Sequence, residues 1–265
     1  PEGRGAGRAG ARSRCARGRV APKRRAAPRP RWGLPPGAGC ETKDGVARVL
    51  HHLVEPPHAC PYLPDRTASL EIRVQVEVTP AELEAMLERG WRRFGPVSFR
   101  PACGACAECV TLRIPTATFE PSKSQRRALR NAARLRRVVG LPQIDHERLA
   151  LYERWHTERE AARGWERSPI DADRYAFDFA FPHPSVREVA FYDPDDGGLV
   201  GLGICDETPR ALSAVYFFWH PERAPESLGV AHVVQLVHAA RARGLDHVDL
   251  GYRGEGCPAL LYKAR

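Results

Sequence analysis

Between residues 186 and 252 the chain repeats a strand-forming pattern four times and interrupts it once with a long helical pattern. Val186–Tyr192 and Leu199–Cys205 flank the turn Asp193-Pro194-Asp195-Asp196-Gly197-Gly198, built from the residues that reverse a chain most readily. Arg210–Trp219 predicts a third strand, Ser227–Gly244 a helix, and His247–Tyr252 a fourth strand leading into a short helix around Ala259–Lys263. Strands joined by short turns run antiparallel, whereas a strand returned by a helix runs parallel to its neighbour. Few sheets satisfy both conditions.

The first half is of another kind. Residues 70–78 alternate strictly between apolar and polar side chains, as a half-buried strand does. Thr79-Pro80-Ala81-Glu82 then forms a capping box that opens a helix ended by Gly90. Trp91–Arg100 and Val110–Thr116 predict antiparallel strands joined by a cysteine-bearing loop. Ser122–Val138 predicts a helix stopped by Gly140 and Pro142, and Asp145–Arg163 another closed by Gly164, followed by a loop to about residue 185. The expected architecture is α+β. An N-acetyltransferase-like C-terminal domain spans 141–265, a smaller Cys-containing N-terminal lobe with a basic helix spans 51–140, and residues 1–50 are a disordered basic tail.

Charge is distributed unevenly. The formal net charge is +9, yet residues 1–40 alone hold ten Arg, one Lys and a single acid, Glu2. Such an Arg/Gly/Ala/Pro-rich stretch cannot pack a core, and it is expected to be a solvated extension or translated upstream sequence. The informative basicity is elsewhere. Lys123, Arg126, Arg127, Arg130, Arg134, Arg136 and Arg137 fall between Pro121 and Arg137 with no Asp or Glu among them. On a continuous helix, steps of three and four align all of these but Arg136 along one stripe, either a phosphate-binding face on an otherwise slightly acidic body or a solvated face paired with acids elsewhere in the fold. No apolar run approaches the ~20 residues of a spanning helix, which excludes an integral helical membrane protein.

Eight cysteines in 265 residues are too few for a disulfide scaffold, so a reducing, cytoplasmic compartment is expected. Cys103, Cys106 and Cys109 follow a C-x2-C-x2-C spacing, with Cys60 upstream and His51, His52 and His58 near it in sequence. Four thiolates suit a Zn ion or an iron–sulfur cluster; buried apolar Cys or a redox-labile pair are the alternatives. Acetyl-CoA enzymes need a glycine-rich phosphate cradle before the crossover helix. Here that connection is His220-Pro221-Glu222-Arg223-Ala224-Pro225-Glu226, so the acyl donor is expected not to be CoA. A CoA-dependent acetyltransferase and a noncatalytic RNA-binding protein stay open beside an enzyme that uses another donor.

Specific stretches narrow the choice. Cys60-Pro61-Tyr62-Leu63-Pro64, Gly90-Trp91-Arg92-Arg93 and Phe99-Arg100-Pro101-Ala102-Cys103 through Cys109 are followed by Phe119-Glu120-Pro121-Ser122-Lys123-Ser124-Gln125-Arg126-Arg127. Then come Tyr216-Phe217-Phe218, Ser227-Leu228-Gly229 and Leu250-Gly251-Tyr252 through Tyr262-Lys263-Ala264. In these the chain resembles the aminoacyl-tRNA–protein transferases of the N-degron pathway, the arginyltransferases and bacterial aspartate/glutamate leucyltransferases, over about residues 58–265. The resemblance implies transfer of Arg or Leu from charged tRNA to an N-terminal Asp or Glu of a protein, by a monomer that needs no cofactor for the chemistry. It implies tRNA or acidic-substrate contacts at Lys123, Arg126, Arg127, Arg130 and Arg134, and site-lining roles for Tyr216, Tyr252 and Lys263. Relatives with an N-terminal metal or iron–sulfur site suggest Cys60, Cys103, Cys106 and Cys109 as its ligands, although Leu63 stands where the eukaryotic motif has a second Cys. Relatives usually continue past the Tyr-Lys-Ala segment, so a C-terminal truncation is expected.

Overall fold

The computed structural model describes residues 47–164 and 166–254. The basic tail up to residue 46, the short helix around Ala259–Lys263 and Lys263 itself lie outside the described residues.

The larger sheet is built on the strands and crossover helix between residues 186 and 253. Strands β9 (Val186–Tyr192), β10 (Leu199–Glu207) and β11 (Ala211–Trp219) run antiparallel, and helix α5 (Leu228–Ala242) crosses over to β12 (His247–Arg253), parallel to β11. Two further strands complete a six-stranded sheet in the order β7-β12-β11-β10-β9-β8, namely β7 (Val110–Pro115) and β8 (Arg136–Gly140). Both precede the expected boundary at 140. One face is covered by α5 and α2 (Lys123–Ala132), which pack Ala128, Ala132, Leu228, Leu236 and Val237 against Phe191 and Leu212. On the other face α3 (His146–Arg163) and α4 (Ala172–Phe179) pack Leu151, Tyr152, Trp155, Tyr175 and Phe179 against Leu202, Ile204 and Phe218. Helices on both faces explain why β10 is buried along its whole length except Glu207.

The smaller sheet has the order β1-β4-β6-β5, from Arg48–Val54, Leu70–Val76, Val97–Pro101 and Arg92–Phe94. Helix α1 (Pro80–Glu88) packs Leu83 and Leu87 with Val78, and its Thr79–Glu82 capping box is formed as expected. A two-residue hairpin, β2 (His58–Ala59) with β3 (Thr67–Ala68), lies between β1 and β4 in the chain.

Several local expectations are corrected. Trp91–Arg100 is itself the β5–β6 hairpin, and Val110–Pro115 pairs with β12 in the other sheet rather than across the cysteine loop. The hairpin turn requires Gly95: φ is +50°, and a Cβ there would sit 1.8 Å from the Phe177 carbonyl oxygen. The helix expected over Ser122–Val138 stops at Ala132. Arg136–Gly140 instead pairs with β9, Val138 opposite Ala190, because sheet pairing at an open edge outweighs helical propensity in a stretch with two valines. Arg48–Val54 forms a strand against β4 where a tail and an unstructured lead-in were expected. The loop expected before residue 185 contains α4, whose Asp171 side chain accepts from the Arg174 N–H.

Polar ties link the smaller sheet and its helix to the larger sheet. Arg93 on β5 donates to Asp206 on β10, with Nε to Oδ2 at 3.0 Å, and both side chains are almost fully buried. Glu84 on α1 accepts from the Arg210 backbone and guanidinium.

Candidate active site

The parallel pairing of β11 with β12 is short. It covers Ala211–His247, Leu212–Val248 and Ser213–Asp249, and no further register follows. A register shift between Ile204 and Cys205, opposite Tyr216 and Ala214, bulges β11 at this point. A bulge bends its strand and re-aims side chains. Tyr216 and Tyr252, the two described tyrosines expected to line the site, lie beyond the last shared pair. They serve different surroundings.

Tyr216 lines a cleft of 350 Å³ with Phe94, Val97, Phe99, Tyr152, Phe177 and Phe179, and the charged residues in its wall are Arg174 and Asp178. Those two belong to α4 and bind each other, Arg174 Nε donating to Asp178 Oδ2 at 2.5 Å. The rings of Phe94 and Phe179 pack on Tyr216 at 5.8 and 5.3 Å. Tyr216 OH lies 2.9 Å from His156 Nε2, and His156 Nδ1 lies 3.3 Å from Glu160 Oε1. His156 and Glu160 are one turn apart on α3, whose ends are fixed by the Asp145 cap and by Gly164 at φ +63°. Glu160 is also held by the Ser168 backbone N–H. Tyr152 stacks on the imidazole at 3.9 Å and Trp155 meets its edge at 5.0 Å.

Electrostatics in this row follow from burial. Desolvation pushes the Tyr216 hydroxyl well above its ordinary pKa, so it is protonated at neutral pH. Burial also lowers the His156 pKa despite the opposing pull of Glu160, which keeps the ring neutral. A carboxylate oxygen accepts, so Nδ1 carries the proton and donates to Glu160. Nε2 is then bare and accepts from Tyr216 O–H. His156 and Glu160 were not singled out from sequence; the visible signal is the i, i+4, i+8 row of Tyr152, His156 and Glu160 on one helical face.

Tyr252 is engaged elsewhere. Its hydroxyl donates to the Gly90 carbonyl at 2.5 Å and the Phe99 carbonyl lies 3.3 Å away, with the Arg92 guanidinium over its ring. It lines a second pocket, of 170 Å³, together with His58, Cys60, Tyr62, Leu63, Cys103, Cys106 and Cys109. Phe99 lines both pockets. All four cysteines of the expected metal set therefore face one space, and none of the described cysteines forms a disulfide. Cys103 Sγ donates to the Ser69 carbonyl at 3.7 Å. Among the described residues, however, no three Cys, His, Asp or Glu side chains form a group that could hold a metal ion. As arranged, these residues do not fit a metal or cluster. His52 is exposed and paired with Glu71; His51 is exposed.

The cation row divides. Lys123, Arg126, Arg127 and Arg130 are exposed along α2, and none of them pairs with a carboxylate among the described residues. Arg134 lies past the helix and reaches Asp193, Asp195 and Glu226. Arg137 points its guanidinium to Gln235, and Arg136 covers the Tyr192 ring. The single stripe of six is thus a stripe of four, because the chain leaves the helix at Ala132.

At the crossover, Pro221–Glu226 forms a 3₁₀ turn and α5 begins at Leu228 without a side-chain cap. Glu226 beside that helix start is bound by Arg223 and Arg134. A carboxylate there repels a pyrophosphate.

Two family models match the chain. That described as arginine-tRNA-protein transferase, N terminus, covers residues 58–127, and that described as arginine-tRNA-protein transferase, C terminus, covers residues 147–265. The chain is similar to the aspartate/glutamate leucyltransferase of Halorhodospira halophila, with 36% identity over 208 residues, 78% of this chain and 87% of the relative. The enzyme of the same name from Campylobacter jejuni is 31% identical over 77% of this chain and 85% of its own. That of Chromobacterium violaceum is 33% identical over 83% and 90%. Among solved structures, FemX superposes at a TM-score of 0.42 with 8% identity, over 65% of this chain and 60% of its own.

Proposed function

The chain belongs to the arginine-tRNA-protein transferase family, and from that premise we propose that it moves leucine from leucyl-tRNA to the α-amino group of proteins beginning with Asp or Glu, making a degradation signal. The carrying observation is the cleft beside Tyr216. Its walls are aromatic and aliphatic, and its one carboxylate, Asp178, is already bound to Arg174. A leucyl side chain buried there gains about 2 kcal/mol. An arginyl side chain needs a free carboxylate in such a setting and finds none. The names of the similar proteins agree with this donor.

The reaction is aminolysis of an ester that already holds the energy for amide formation, so neither ATP nor a cofactor enters. An α-amino group of pKa ~8 is partly neutral near pH 7. Holding it against the ester contributes several kcal/mol. The α2 cations Lys123, Arg126, Arg127 and Arg130 offer phosphate contacts for the tRNA. Substrates of this kind are met in the cytoplasm. No helix of the described residues is long and apolar enough to cross a membrane.

The test incubates the protein with Asp- and Glu-initiated peptides and each charged tRNA separately. A mass gain equal to leucine is expected only with leucyl-tRNA. A gain of arginine would overturn the choice of donor, and no gain with either would overturn the activity.

A further inference from the structure

The reading of the chain as a transferase leaves one chemical task without a residue: the attacking nitrogen must lose a proton. We propose that the Tyr216–His156–Glu160 row is the proton relay of the transfer, with Tyr216 touching the reacting nitrogen and His156 and Glu160 acting through it. This rests on the proposed function. Three observations carry it. The row is continuous, at 2.9 and 3.3 Å. It starts in the wall of the cleft and ends on a carboxylate fixed by the Ser168 backbone. Its direction is set by chemistry: Glu160 accepts from Nδ1–H, so Nε2 accepts from Tyr216, and the remaining lone pair of the tyrosine oxygen is left for a donor in the cleft.

The step balances. The neutral amine attacks the ester carbonyl carbon and a C–N bond forms. The nitrogen gives one proton to the Tyr216 oxygen while that hydroxyl passes its own to His156 Nε2. On collapse the C–O bond to the terminal ribose of the tRNA breaks, and the proton returns by the same path to the departing ribose oxygen. The products are an amide and an uncharged tRNA, and the three side chains are restored. A buried hydroxyl whose pKa lies far above that of the amine cannot serve as a base alone. Coupled to a neutral imidazole, it never has to carry a full negative charge.

The charged and titratable groups around His156 are Tyr152, Glu153, Arg159 and Glu160 on α3 and Tyr216 from β11. Protonation of the imidazole closes the relay, so it adds a second, lower step to the acidic limb that the substrate amine already sets.

The experiment uses the full chain and measures kcat and KM for peptide, together with the ring tautomer of His156 by 15N NMR. Tyr216→Phe and His156→Gln are each expected to lower kcat ~100-fold with KM changed less than threefold. The double variant is expected to be no slower than either single one, and His156→Gln loses the lower, imidazole step of the acidic limb while keeping the step set by the substrate amine. Thermal melts and tRNA retention on filters identify a variant that has merely lost its fold. Glu160→Gln folds around the same hydrogen bonds and is expected to be ~10-fold slower, as a positioning residue. An Nε2–H tautomer in the wild type, or a His156→Gln enzyme within threefold of wild type with both steps of its acidic limb intact, overturns the relay alone. A wild type that transfers no amino acid overturns the transferase reading and the relay with it.

Discussion

Tyr252 on the last described strand gives its hydroxyl to the backbone carbonyl of Gly90, 162 residues earlier in the chain, at 2.5 Å. The bond runs from the six-stranded sheet to the residue that ends α1, so it joins the two sheets as Arg93 and Asp206 do. Tyr216, at the same divergence of β11 and β12, gives its hydroxyl to a titratable ring. Tyr252→Phe removes the donor and leaves a half-buried carbonyl short of a partner, a loss of about 1 kcal/mol. Urea unfolding is expected to show that loss, with kcat per folded enzyme unchanged. A 100-fold fall in kcat at full stability would return Tyr252 to the chemistry.

Arg134 differs from the four basic residues on α2 in having acids within reach: Asp193, Asp195 and Glu226. Lys123, Arg126, Arg127 and Arg130 have none among the described residues. If the four meet RNA phosphates, replacing any one by Ala reduces the slope of log K against log salt by about 0.7–0.9. Arg134→Ala is expected to leave that slope unchanged and to weaken the Asp193 turn. Titrations of charged tRNA at three salt concentrations separate these outcomes. Equal slopes for all five variants would sink the assignment of the helix as the phosphate face.

What the sequence showed and what it hid follow the same division. The strands β9 to β12 and α5 were legible because turn chemistry and side-chain period are local properties. The α2 helix was legible at its start, where Ser122 and Gln125 form a capping box. Its end was not, because Arg136–Gly140 is drawn into a sheet by a partner some fifty residues away. Arg134 looked like part of a stripe because its acids come from two distant turns. His156 and Glu160 were hidden for a related reason. A His four residues before a Glu is an ordinary helical pair, and only Tyr216, 60 residues on, makes it a row.

His232 on α5 is fully buried, stacks on Phe217 at 4.6 Å, and fits only because residue 203 is Gly, where a Cβ would come within 2.5 Å of the ring. Burial, aided by Arg137, lowers its pKa to about 3, and burial with Arg93 lowers that of His183 to about 4. Both are neutral in the folded chain where the unfolded chain, near 6.5, takes up protons. Their contribution is complete above pH 6.5 and is lost on acidification, through about pH 4 for His183 and about pH 3 for His232. Each contributes a slope of about 1.4 kcal/mol per pH unit in its window. Urea midpoints between pH 7 and 4.5 are expected to fall accordingly, and His232→Leu to remove one such slope. A midpoint independent of pH over that range would refute the assignment.

Arg174 and Asp178 offer the sharpest test of the donor. The carboxylate of Asp178 faces the aromatic cleft but is held one turn along α4 by Arg174. Arg174→Leu leaves an unpaired carboxylate among Phe94, Phe177 and Phe179, which is unfavourable for a leucyl side chain and attractive to a guanidinium. The ratio of kcat/KM for leucyl-tRNA over arginyl-tRNA is expected to fall by ten- to a hundredfold, about 1.4–2.7 kcal/mol. Asp178→Asn with Arg174→Leu removes both charges and is expected to restore the preference for leucine. The two variants separate charge from shape, since each keeps the cleft wall filled. An unchanged ratio in Arg174→Leu would place the aminoacyl side chain somewhere other than this cleft.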